Sequence, residues 1–159
     1  MEKETLHFKF GLKGSSPLKQ PEISIFIGNK EFFAGSLNSA PNQVEYIEFD
    51  ADIIEGENTI VIELKNKLSA DTIVGPDNKI ESDMLLTIDS IEVDEIDIGS
   101  LLWTNSKYYP KYPQDYIDAQ NKLGNKLEPE LKEFVDLGWN GRWVLPFQSP
   151  FYIWLLENL

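Results

Sequence analysis

The stretch Asp83 to Ile98, DMLLTIDSIEVDEIDI, constrains the fold more than any other part of the chain. Met84, Leu86 and Ile88 share one parity, Ile91 and Val93 take the other, and Ile96 and Ile98 return to the first. Period two with two slips describes a strand with one apolar face, an extra residue being inserted at Asp89-Ser90 and again at Asp94-Glu95. A helix would also align Met84, Ile88 and Ile91, but the richness in Ile, Val and Thr favours a strand. Asp89, Glu92, Asp94, Glu95 and Asp97 fall on the outward side. The stretch therefore predicts a core strand of a soluble sheet.

Other segments repeat the pattern. Thr5 to Phe10 alternates Leu6, Phe8 and Phe10 with polar residues. Ile23, Ile25 and Ile27 precede Gly28-Asn29-Lys30 and Glu31-Phe32-Phe33, which predicts a hairpin. Val44–Phe49 and Thr59–Leu64 predict two further strands, with a tip at Glu55-Gly56-Glu57-Asn58. Residues 65–82 form a long polar loop centred on Gly75-Pro76-Asp77-Asn78, and long loops in compact domains are often functional. The expected class is an all-β antiparallel sandwich in a single domain, since 159 residues with 42% hydrophobic content can bury one sizeable core.

After residue 98 the composition changes. All four tryptophans, Trp103, Trp139, Trp143 and Trp154, lie here, together with Tyr108, Tyr109, Tyr112, Tyr116 and Tyr152. The expected division is a β-sandwich core over 1–98 and an aromatic-rich extension over 99–159. Pro113 opens a predicted helical turn that runs to Gly124, and Pro129 another ahead of Leu131. Asn140-Gly141 predicts a hairpin with Trp139 and Trp143 on its two sides. The apolar run Phe151–Leu156 is expected to return to the domain as a final strand or to dock on a neighbouring subunit.

Charge and residue types limit the chemistry. A net charge of −13 excludes the usual electrostatics of nucleic-acid and anionic-membrane partners. With no cysteine and one histidine, His7, the zinc sets and the Cys-His and Ser-His-Asp nucleophiles lack their parts, and there is no Gly-x-Ser-x-Gly elbow. No enzymatic activity is expected. Asp71, Asp77, Asn78, Glu81 and Asp83 could face a hard cation, but without the EF-hand spacing. The aromatic residues have three readings: a second small core, anchors for a protein partner, or rings offered to a sugar face. The partner-binding candidates are Trp103, Tyr108, Tyr109, Tyr112, Trp139, Trp143, Phe151 and Trp154.

Three segments, EISIFIGNKEF, GENTIVIELKNK and DMLLTIDSIEVD, resemble in their order the hairpin and strands of the calcium-dependent xylan-binding type of carbohydrate-binding module. The resemblance covers the chain ahead of its aromatic-rich third. It implies a jelly-roll-like β-sandwich, and it brings Asn66 and Asp83 to positions near that family's calcium site, so calcium would be the cofactor if there is one. Lys67 stands where the family has an acid, and Met84-Leu85 where it has Arg-Asn. If the geometry is kept, Lys67 brings its ammonium group toward Asp83 and Asn66. The segment LGWNGRWVLPFQSPFYIWLLENL is similar to the C-terminal parts of small structural proteins of marine tailed phages. Together these imply a non-enzymatic structural or decorating component of a virion, assembled in the host cytoplasm, with other virion proteins or its own copies as partners. The alternative is a glycan-binding module, cation-assisted.

Overall fold

The computed structural model describes residues 2–159. In chain order the elements are β1 (Lys3–Gly14), β2 (Glu22–Ile27), β3 (Lys30–Ser36), β4 (Glu45–Ile54), β5 (Gly56–Leu64), β6 (Ile73–Val74) and β7 (Ile80–Ser82). Then come β8 (Leu86–Val93), β9 (Ile96–Asp97), α1 (Leu101–Thr104), β10 (Lys107–Pro110), α2 (Gln114–Lys122), β11 (Leu131–Lys132), β12 (Asp136–Leu137), β13 (Gly141–Ser149) and α3 (Phe151–Asn158). One sheet runs β12-β8-β1-β4 with β9 paired to β8, the other β11-β10-β13-β5-β2-β3, and β6-β7 form a small ribbon. Every pairing is antiparallel.

The fold is the expected β-sandwich. Alternation drives it: Leu6, Phe8, Phe10 and Leu12 of β1 and Leu86, Ile88, Ile91 and Val93 of β8 face Ile23 and Ile25, Ile60 and Ile62, and Trp143, Leu145 and Phe147 of the other sheet in one core. Phe49 of β4 stacks on Phe32 with centroids 4.8 Å apart, closing one edge. Among the described residues no helix is long and apolar enough to cross a membrane.

The first slip in the founding stretch is a bulge. Gly11 pairs with Ser90 and Leu12 with Ile88, so Asp89 is the extra residue that lets Ile91 and Val93 face inward. The second slip is a tight turn instead: Asp94 and Glu95 have φ of 49° and 68°, and β9 folds back on β8. Positive φ at both central residues matches the right-handed twist of the strands it joins.

Residues after 98 are not an appendage, which corrects the expected boundary. β13 lies inside the second sheet, between β10 and β5, pairing with β5 from Gly141 opposite Leu64 to Ser149 opposite Gly56. The Asn140-Gly141 hairpin does not form: β12 belongs to one sheet and β13 to the other, so this dipeptide carries the chain across the sandwich. Asn140 is held there by Lys67, accepting its N–H at 2.7 Å and donating to its carbonyl at 3.0 Å. Phe151–Leu156 forms helix α3, not a strand. Phe151, Trp154 and Leu155, at helical spacing, are buried, the first two against Phe147. The turn expected after Pro129 is the short strand β11, while the one after Pro113 is α2.

Candidate functional site

The eight aromatic candidates separate by burial. Tyr108, Trp143, Phe151 and Trp154 lie in the chain's own core, so the partner-contact expectation is corrected for them: their rings are spent on folding. Trp143 Nε1 donates to the Phe134 carbonyl at 2.7 Å, satisfying its one polar atom. Trp103 and Tyr109 are exposed, and Tyr112 and Trp139 are half-buried.

Tyr108 does more than fill space. Its hydroxyl donates to the Trp139 carbonyl and accepts the Trp139 N–H at 3.0 Å, clamping that residue's backbone. Burial pushes the Tyr108 phenol pKa up, so the hydroxyl keeps the proton it donates. The clamped Trp139 ring then meets Tyr112 edge-on at 5.2 Å and Tyr116 at 5.4 Å, while Tyr112 and Tyr116 stack at 5.9 Å. Tyr112 in turn donates to the Glu128 carbonyl at 2.8 Å. Tyr116 was not among the candidates from sequence. Its helix has no buried residue, and its contacts with the Tyr112 and Trp139 rings are what mark it.

Beside this cluster runs a groove of about 640 Å³. One wall is the 67–85 segment with Lys67, Thr72, Ile80 and Asp83; the other is α2 with Asp115 and Tyr116; Phe134, Asp136 and Trp139 complete it. Ser69 reaches across to Asp115 at 3.3 Å. Thr87 of β8 donates to Asp136 at 2.6 Å, fixing one carboxylate on the rim. A wider, more open depression of about 1210 Å³ lies among the β2–β3 turn, Asp52–Ile54 and Pro146–Gln148. Its aromatic residues, Phe147 and Trp154, are both buried, so it offers no ring face.

The residues suggested for a cation do not converge. Asp71 takes Lys19 at 2.9 Å and the Leu68 N–H at 2.7 Å. Burial pushes the Asp71 carboxyl up, but those two hydrogen bonds outweigh it and leave it below its ordinary value. Asp77 accepts the Lys79 N–H at the tip of the β6–β7 ribbon. Asp83 pairs with Lys67, as the resemblance to the xylan-binding modules implied, whereas Asn66 accepts the Glu22 N–H and donates to Gln20 O. His7 does not line the groove; it lies on β1 between Asp50 and Glu48.

No protein-family model matches the chain, and no curated protein matches it. Among solved structures, the selenomethionine form of vCBM60, reported in work linking two families of calcium-dependent carbohydrate-binding modules by circular permutation, superposes with a TM-score of 0.51. That match covers 88% of this chain and 89% of the other at 13% identity. A second, vCBM60 in complex with galactobiose, gives a TM-score of 0.49 at 11% identity over 89% of this chain and 97% of that one. The likeness is one of fold.

Proposed function

We propose that this chain is a non-catalytic glycan-binding module whose groove takes a neutral oligosaccharide. The observation that carries the reading is the half-exposed Trp139 and Tyr116 rings along a groove edged by the Asp83, Asp115 and Asp136 carboxylates. A pyranose has an apolar C–H face, which an aromatic ring covers, and a rim of hydroxyls, which carboxylates and main-chain groups accept from. The fold likeness to a carbohydrate-binding module supports the same reading.

The test is a panel of neutral and acidic polysaccharides by affinity electrophoresis, followed by calorimetry on the best ligand. Trp139→Ala and Tyr116→Ala should each weaken binding about 30-fold, as truncating a central aromatic costs about 2 kcal/mol. Folded variants that bind as well as the parent would defeat the reading.

A second reading is a structural or decorating role in a tailed-phage particle, located in the virion and exerted through contacts with neighbours or copies. It is favoured by the exposed apolar strip of α3, Tyr152, Ile153 and Leu156, and by Trp103. Sedimentation velocity tests it: a monomer at all concentrations that binds polysaccharide leaves the glycan reading alone.

A further inference from the structure

The calcium dependence stated for the structurally similar modules requires oxygen donors left free for the ion. Calcium takes six to eight oxygens, carboxylates foremost. Among the described residues, no three His, Cys, Asp or Glu side chains converge closely enough to hold a metal. The oxygen donors that the sequence offers for a cation, Asp83, Asn66 and Asp71, are already engaged. Asp83 Oδ1 accepts both the Lys67 ammonium and the Thr72 hydroxyl, the latter at 2.8 Å. Both polar atoms of the Asn66 amide are used on the backbone of Gln20 and Glu22. Asp71 is committed to Lys19 and Leu68.

Lys67 is placed there by construction. Its side chain is only 6% exposed, and Nζ also donates to the Met84 carbonyl at 3.2 Å. Its main chain is bracketed by the two Asn140 hydrogen bonds, so the ammonium enters from a fixed base. A buried ammonium persists only beside a counter-charge, and Asp83 supplies it.

We propose that Lys67 is the resident cation of this groove, and that the module binds its neutral glycan without calcium, with Asp83 Oδ2 accepting a sugar hydroxyl. The binding half of this inference rests on the glycan reading above; the cation half does not. Among the described residues both of the Asp83 side-chain bonds fall on Oδ1, and the side chain is 21% exposed at the groove wall, which leaves Oδ2 for a ligand. Lys67 polarises that carboxylate permanently, so its orientation does not depend on a free ion.

The deciding experiment is calorimetric titration of calcium chloride into the unmodified protein, with melting curves in calcium chloride and in sodium chloride of matched ionic strength. No saturable heat and coincident melting curves are expected, and a glycan affinity equal in EDTA and in calcium. Lys67→Asp should acquire a calcium-dependent rise in melting temperature. Should that variant not fold, the titration of the unmodified chain still decides. Saturable calcium binding to the unmodified chain that is abolished in Asp83→Asn would overturn the inference. A flat calcium titration with no glycan bound would uphold the cation assignment while removing the glycan reading. Glycan binding that appears only with calcium would do the reverse.

Discussion

His7 lies on the outer side of β1 with Nδ1 2.7 Å from Asp50 and Nε2 3.0 Å from Glu48. The hydrogen bonds to Glu48 and Asp50 favour the imidazolium, so its pKa is raised from the ordinary 6.5. A raised folded pKa contributes stability that is fully present below 6.5 and is lost as pH rises through the folded value. The side chain is 40% exposed, so solvent screens the effect and it should be small. The expected outcome is that His7→Gln lowers the melting temperature at pH 6 and has less effect at pH 8.5, measured by calorimetry at both. An equal loss at both values would contradict the pairing. Gly141 shows a different residue-scale constraint: φ is 147°, and a Cβ there would meet Tyr109 O and come within 2.9 Å of Pro110 Cα. Both obstacles are backbone. Gly141→Ala should therefore cost about 3 kcal/mol or more in urea unfolding. In the sequence Gly141 reads as a turn residue, because Asn-Gly signals a hairpin from local chemistry alone. What it serves is the close approach of β10, 31 residues away in chain terms through Pro110, which no local pattern encodes.

Among the elements, those with uninterrupted alternation were legible: β1, β2, β5 and β8 appear where period two places them, and the Asp89 bulge was visible as a change of parity. Helix α3 was not. Phe151, Trp154 and Leu155 have helical spacing, but Tyr152, Ile153 and Leu156 on the exposed side are also apolar, so no polar face separates helix from strand. This predicts unequal mutational costs along one helix. Trp154→Ala removes a buried ring packed on Phe147 and Phe151 and should cost about 3–5 kcal/mol. Leu156→Ala, at 77% exposed, should stay within about 0.5 kcal/mol. Urea denaturation of both variants checks this, and equal midpoint shifts would mean that α3 does not dock as described. Deleting residues 150–159 removes Phe151, Trp154 and Leu155 together. At about 1.5–3 kcal/mol each, that approaches a typical domain's margin of about 5–15 kcal/mol, so the shortened chain should be unfolded or insoluble.

At the scale of the molecule, the sandwich was readable but the groove was not, because its walls come from the 67–85, 113–119 and 134–139 segments, which lie far apart in the chain and meet only in the folded sandwich. Charge, by contrast, is a whole-chain property and was readable at once. With a net charge of −13 and Asp115 and Asp136 on the rim of the groove, the potential that any ligand meets is negative. A neutral oligosaccharide is indifferent to that field, since stacking and hydrogen bonding to hydroxyls carry no net charge. A polyuronate must bring further carboxylates toward it. Repulsion between exposed charges is screened over a Debye length of about 10 Å at 0.1 M salt and about 3 Å at 1 M. The affinity for a neutral glycan should thus be unchanged between low and high salt, whereas any binding of a polyuronate should be weak at low salt and strengthen as salt is added. Calorimetric titrations at the two salt concentrations measure both slopes. Tight uronate binding that weakens with salt would require a basic recognition surface, and Lys67, the lysine in the groove wall, is already neutralised by Asp83.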